Sequence, residues 1–272
     1  MTPLFDLVAS LLLTLVLCGG ALFGRALHGA LPDHHRTHDT FDFVRVASGL
    51  IVTFTALVLS LLLTNVNADF NRADRDLHTY ASMIILLDRE LADIGDGTKP
   101  AREMLRQYTA AAIASTWPDE TPPSGTYPKA ADHGVDIDSA ALGDMLHAVE
   151  VEIRRAAPAD GAAEKAQAAS LARVSALLDE RWSLIGEAHS SIAPMYLTLM
   201  VLWLIAVFFS FGLTAPKHRT ASACIALVAV AVAGAVFLIL ELDGPLDGLI
   251  KVQSEPLRHA LRHLDHIPDS SG

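Results

Sequence analysis

Three carboxylates follow an apolar run near the end of the chain. The run covers about residues 221–241 and is long enough to cross a bilayer. It ends at Glu241, with Asp243 and Asp247 close behind. An unpaired carboxylate at the edge of the hydrocarbon is costly in free energy or becomes protonated. We therefore expect these acids to have cationic partners at the same membrane face.

Three arginines are the expected partners. Arg72 and Arg75 follow the second apolar run of the chain, and Arg181 precedes the third. The number of membrane crossings places all three at the same face as the acids. The sequence thus predicts an interfacial ion-pair network that fixes the helices leaving the membrane to the last span. A second interpretation stays open, in which the acids form a ring at the mouth of an oligomeric pore and attract cations.

Four polar residues of the second apolar run share one face of the predicted helix. They are separated by seven, four and three residues, a spacing that a helix places on one side: Thr53, Ser60, Thr64 and Asn67. Such a stripe can line a water-filled path. Alternatively, the hydroxyl groups bond carbonyls of their own helix or of a neighbouring helix, as is common in membranes.

Other reactive side chains do not form a recognisable catalytic site. The chain has no GxSxG, no glycine-rich phosphate loop, no CxxC and no HExxH. Histidines cluster within residues 28–38 and 259–266, but the membrane crossings place the two groups at opposite faces. Polar loops and a solvated tail explain them without a metal ion. We expect no enzymatic activity, no metal and no cofactor.

The elements that position these residues are set by hydropathy. Apolar residues make up 51% of the 272-residue chain and concentrate in four runs. A helix needs ~20 residues to cross ~30 Å of hydrocarbon, and each run is close to that length. The sequence predicts four transmembrane helices, over about residues 4–24, 43–65, 192–213 and 221–241.

The segment between the second and third spans, residues 66–191, is polar and acidic. It carries 21 acidic against 12 basic residues, which accounts for most of the net charge of −11. This charge argues against nucleic-acid binding and against adhesion to anionic lipid. We expect a water-exposed domain here, followed at the other end of the chain by a C-terminal tail over residues 251–272.

Apolar heptad rows predict the architecture of this domain. One row is Leu63, Phe70, Leu77, Ile84 and Leu91, and a second runs beside it from Val66 to Ile94. They indicate that the second span leaves the bilayer as one uninterrupted helix that ends at Gly95. A second long helix over 162–189 runs back and enters the third span. Two amphipathic helices lie between these two long helices. The expected fold is all-α: four transmembrane helices plus a four-helix extramembrane bundle whose stalk helices continue the second and third spans.

Basic residues indicate the orientation. The two short loops carry Arg25, Arg36, Arg45, Lys217 and Arg219, whereas no Lys or Arg precedes Arg25. The positive-inside rule then favours cytoplasmic short loops and an extracytoplasmic helical domain. The expected location is a bacterial inner membrane.

Several runs of residues resemble a known family. They include "LLDRELADIG", "RQYTAAAIASTWP", "FFSFGLTAPKH" and, most specifically, Glu241-x-Asp243-x-Pro245-x-x-Gly248-x-Ile250. Together they resemble the bestrophin-like domain family of bacterial membrane proteins, which has no established activity. The family label implies a pentameric anion channel with four spans and a helical domain. The sequence contains no aromatic neck or calcium clasp to which the features of such channels could be assigned residue by residue.

Two functions therefore remain open at the level of the sequence. One is an oligomeric ion channel or pore whose second span lines the path, with the lipid bilayer, further copies of the chain and an inorganic ion as partners. The other is a non-conducting membrane scaffold or sensor whose acidic helical domain binds a protein. Neither function involves nucleic acid.

Overall fold

The computed structural model describes residues 3–30, 38–128, 140–188, 194–216, 218–246 and 248–265. Within these ranges the chain is all-helical and has no strand. The α-helices are α1 Pro3–Ala30, α2 His38–Ile94, α3 Lys99–Thr116, α4 Ala140–Arg155, α5 Gly161–Ala188, α6 Pro194–Thr214, α7 Arg219–Leu242 and α8 Glu255–Asp265.

Four of these helices are long and apolar enough to cross a membrane by length and composition: α1, α2, α6 and α7. The prediction of four long apolar helices is thereby confirmed. Helix α2 is a single helix from His38 to Ile94, and Gly95, at φ 112°, ends it in a backbone conformation that favours glycine. The predicted continuation of the third span towards α5 falls on residues 189–193, which lie outside the described residues.

The chain divides into two compact units. The membrane unit comprises Met1–Phe70 and Ser190–Ile250, and the acidic unit comprises Asn71–His189 and Lys251–Gly272. Each unit has its own buried side chains.

The core of the membrane unit lies between α1, α6 and α7. Its buried side chains include Leu17 of α1, Phe208 of α6 and Ala233 of α7. Glycines bring α1 and α6 together, because a Cβ on Gly24 would overlap the Phe209 carbonyl and a Cβ on Gly212 would overlap the Ala21 carbonyl. Small residues at a crossing are a common means of helix association in membranes, where backbones must approach closely.

Helix α2 packs against this core through one face. Val66 is buried with Ile239 and Leu242 at the end of α7. Towards the start of α2, the buried hydroxyl of Ser48 bonds that of Ser210 on α6. These contacts fix which side of α2 is turned inward.

The acidic unit is a separate helical assembly. Helix α3 packs against α4 and α8, and α4 packs against α5. Trp117 and Tyr108 are among its largest fully buried side chains. Two bidentate ion pairs tie further helices together: Arg102 with Asp88 at 2.8 Å, and Arg173 with Glu90 at 2.6 Å.

The C-terminal segment belongs to this core. Leu257, Ala260 and Leu261 of α8 are buried, and the Trp117 indole N–H donates to the Val252 carbonyl at 2.8 Å. The Glu120 carboxylate accepts from the Ser254 hydroxyl and from Arg258 Nε at 3.1 Å. Residues 251–272, which the sequence predicts to be a tail, therefore contain a packed helix.

Acidification is expected to release α8. Burial raises the pKa of Glu120, but the bonds from Ser254 and Arg258 lower it by more, so its pKa lies below the usual 4.5. A depressed pKa adds stability above the unfolded-state value, and that stability is lost as the pH falls through the folded-state value. The protection of residues 255–265 against hydrogen exchange, taken relative to the intrinsic exchange rate at each pH, should therefore fall as the pH drops below 4.5.

Two variants test this acid-sensitive contact at neutral pH. Glu120→Gln should weaken the docking of α8 by about 1–2 kcal/mol, since hydrogen bonds to charged groups contribute at most about 3 kcal/mol and this one is partly solvated. The matched control is Glu255→Gln on α8 itself, whose bond to Arg262 is solvent-exposed. Equal exchange in both variants would show that Glu120 does not hold the helix.

Candidate conduction site

The polar stripe of α2 lies on the exposed face of the membrane unit. Thr53, Ser60, Thr64 and Asn67 are all exposed, whereas Thr55 and Val66 on the packed side are buried. Most other large exposed side chains of this unit are apolar, such as Leu15, Leu22, Leu227 and Val230. The predicted stripe is thus a polar strip on an otherwise largely apolar surface.

The hydroxyl groups of the stripe are bonded in two different ways. Thr53 donates to the Gly49 carbonyl at 2.9 Å and Thr64 donates to the Ser60 carbonyl at 2.8 Å, both within α2. The Ser60 hydroxyl has no hydrogen-bond partner among the described residues. Self-bonding lowers the cost of placing a threonine in lipid, so among the three hydroxyl groups of the stripe that of Ser60 most needs a polar environment.

Two leucines border the polar residues. Leu57 and Leu61 are 57% and 55% exposed and lie on the helix between or beside members of the stripe. The exposed face of α2 therefore carries both hydroxyl groups and leucine side chains.

The carboxylate of Glu241 has backbone partners. Although only 2% exposed, it accepts through Oε1 from the amides of Leu249 and Ile250, the latter at 3.1 Å. Its second oxygen, Oε2, is buried with no hydrogen-bond partner in the described part of the chain. Glu241 therefore closes the turn that follows α7 and retains one oxygen for a further donor.

Gly248 makes this closure possible. Its φ of 93° lies in the region that favours glycine, and a Cβ at this position would collide with Glu241 Oε1. The turn thus needs both the missing side chain and the unusual backbone conformation.

The remaining residues of the predicted ion-pair network are distributed over both units. Asp243 is half-buried at the end of α7, and Asp247 lies outside the described residues. Arg72 and Arg75 are exposed on the part of α2 that belongs to the acidic unit. Pairing of these groups with Glu241 stays a prediction.

Arg181 occupies the interior of the acidic unit. It is 4% exposed and borders a cavity of about 20 Å³ together with Tyr80, Tyr108 and Leu142. The hydroxyls of Tyr80 and Tyr108 bond each other. Burial raises the pKa of Tyr108, and the nearby Arg181 opposes this shift. The guanidinium also lies 5.7 Å from the ring centre of Trp182, within reach of a cation–π contact.

Sequence reasoning missed two of these features. The turn formed by Glu241 and Gly248 leaves only a weak signal, a glycine seven residues after an acid. The burial of Arg181 has no signal in the sequence other than its position between apolar heptad residues.

Comparisons with known proteins agree on one fold. The model of the bestrophin-like domain matches residues 15–257. A crystal structure of a bacterial bestrophin homologue from Klebsiella pneumoniae, solved by Zn-SAD phasing, is 15% identical with a TM-score of 0.61 and covers 96% of this chain and 96% of that chain.

Two further solved structures are similar. A point variant of the same Klebsiella homologue is 14% identical with a TM-score of 0.61, covering 97% of this chain and 99% of that one. A protein described as a membrane protein is 14% identical with a TM-score of 0.59, covering 96% of each chain. At these identities the likeness concerns the fold. No match was found among curated proteins.

Proposed function

Because the chain belongs to the bestrophin-like domain family, we propose that it is an oligomeric ion channel whose path is lined by the exposed stripe of α2. The observation that carries the proposal is the exposure of Thr53, Ser60, Thr64 and Asn67 on one face of a membrane helix. Polar groups at membrane depth usually face a helix partner or a water-filled cavity.

Several copies of the chain are needed to enclose a path. The core of the membrane unit is filled by α1, α6 and α7, and α2 contributes only its inner face to this packing. A ring of copies that turn their α2 stripes towards a common axis would bring the hydroxyl groups of Ser60 around one lumen. In that ring Leu57 and Leu61 would form apolar constrictions, which can gate by dewetting.

The proposal places the chain in a bacterial inner membrane with the acidic unit outside the cytoplasm. The support is the basic character of the short loops. Arg25 lies near the C-terminal end of α1 and Arg45 near the N-terminal end of α2, on either side of the first short loop. Protease added to intact spheroplasts should cleave the acidic unit. Protection of that unit from the protease would show the opposite orientation.

Ion flux through proteoliposomes tests the function. Purified full-length chain should raise the flux of inorganic ions above that of protein-free liposomes. Ser60→Trp should return the flux to the protein-free level, because a large side chain at the stripe blocks a narrow path. Leu227→Trp, at a 71% exposed position of α7, is the matched control and should leave the flux unchanged.

A non-conducting scaffold or sensor is the second candidate. It is favoured by Trp182 and Leu86, large apolar side chains that are 59% and 42% exposed on the acidic unit. Exposed apolar side chains in a polar domain can mark a partner surface. A monomer in native-like membranes together with no flux above protein-free liposomes would favour this candidate over a channel.

A further inference from the structure

A cavity of about 220 Å³ opens in the membrane unit between α1, α6 and α7. Apart from Arg25 and Ser222, its lining is small or apolar and includes Cys18, Ala21, Leu22, Ile225 and Ala226. An apolar cavity of about 150 Å³ in an engineered protein core is large enough to bind benzene. This cavity therefore has room for part of a hydrocarbon chain.

The packing of α1 against α6 keeps the cavity open. Gly24 and Gly212 bring the two backbones into contact, so the helices cannot approach further to fill the space. Leu22 is 64% exposed and Ala226 is also exposed, which places the mouth on the outer surface of the unit. In a bilayer that surface meets lipid.

A cation stands at one end of the cavity. The guanidinium of Arg25 donates through Nη1 to the Ser222 hydroxyl at 2.7 Å and through Nη2 to the Pro216 carbonyl at 2.9 Å. Both acceptors are neutral, so the positive charge is oriented without being neutralised by them. A guanidinium has five N–H donors, of which these bonds use two. Arg219, exposed at the start of α7, adds a second positive charge at this end of the unit.

We propose that this cavity is a binding site for an anionic phospholipid. The headgroup phosphate would accept hydrogen bonds from the remaining donors of Arg25, and one acyl chain would enter the apolar cavity. Arginine suits phosphate because its planar group can donate two parallel bonds. The site lies on α1, α6 and α7, so it is independent of the proposed path along α2.

Native mass spectrometry of the purified full-length chain tests the site. The protein is titrated with phosphatidylglycerol and, separately, with phosphatidylcholine of identical acyl chains. The anionic lipid should bind more tightly. Arg25→Gln should weaken its binding about fivefold, the effect expected for one basic residue near a membrane surface.

The matched charge control is Arg45→Gln. Arg45 forms an exposed ion pair with Asp42 at 3.2 Å and does not line the cavity. This variant removes the same charge at the same end of the membrane unit, so it should leave the lipid preference unchanged. Equal loss in both variants, or equal binding of the two lipids by the natural chain, would overturn the proposal.

A second variant tests the acyl-chain part and does not depend on the stability of Arg25→Gln. Ala226→Phe fills the cavity and keeps the guanidinium, so binding of phosphatidylglycerol should fall.

In a Cys224→Ser background, phosphatidylglycerol nanodiscs should also slow alkylation of Cys18 relative to phosphatidylcholine nanodiscs. Unchanged lipid binding in Ala226→Phe would show that the cavity is not a lipid site. A change of oligomeric state in Ala226→Phe without a loss of lipid binding would show the same.

Discussion

Gly212→Val is expected to destabilise the membrane unit by about 3 kcal/mol or more, the upper range for forcing extra atoms into a packed core. A Cβ at this position overlaps the carbonyl oxygen of Ala21 on α1, and backbone cannot move aside as a side chain can. Helices α1 and α6 would have to separate, which exposes the buried Leu17 and Phe208. The measurement is the thermal unfolding midpoint of the purified chain in mild detergent.

The control is another glycine of the same unit. Gly19 lies on α1, and a Cβ there meets nothing within 4 Å. Gly19→Val should leave the unfolding midpoint unchanged or raise it slightly, because valine has a higher helix propensity than glycine. If both variants lose the same stability, the close approach of α1 and α6 is not what holds the unit together.

Hydropathy predicts the membrane helices well because it depends on composition within one segment. The four apolar runs correspond to α1, α2, α6 and α7. The heptad rows likewise predict that α2 extends to Ile94, because the period of buried residues is read along a single helix. Elements of this kind need no knowledge of what they pack against.

Contacts between distant segments could not be predicted in the same way. The bond from Trp117 to the Val252 carbonyl and the bond from Ser254 to Glu120 each join residues more than a hundred positions apart. Nothing in the local sequence around Glu120 indicates which segment will provide its donors. The packed position of α8 therefore became apparent only in the structure.

The glycines show the same limit at closer range. Gly19, Gly20 and Gly24 all lie on α1, yet only Gly24 is placed so that a Cβ would overlap the backbone of α6. The sequence indicates that α1 is rich in small residues and can pack closely. Which glycine makes the contact depends on the rotation of α1 about its own axis, and that rotation is set by its neighbours.

Glu241→Ala is expected to lower the stability of the membrane unit by about 3 kcal/mol, because each hydrogen bond to a charged group contributes about 1.5–3 kcal/mol and two amides lose their acceptor. Glu241→Gln should cost less, since its amide oxygen can still accept from Leu249 and Ile250. Asp42→Asn, at an exposed ion pair on α2, is the control and should have little effect. Thermal unfolding in mild detergent ranks the variants.

A double-mutant cycle then separates the turn from the predicted ion-pair network. The turn uses Oε1 of Glu241, so its contribution persists whichever residue occupies position 72. An ion pair through Oε2 would instead make the losses in Glu241→Gln and Arg72→Gln interdependent, with a coupling of about 0.5–3 kcal/mol for groups in contact. Losses that add would mean that Glu241 does not pair with Arg72, and the turn after α7 would then account for the loss in Glu241→Gln without that ion pair.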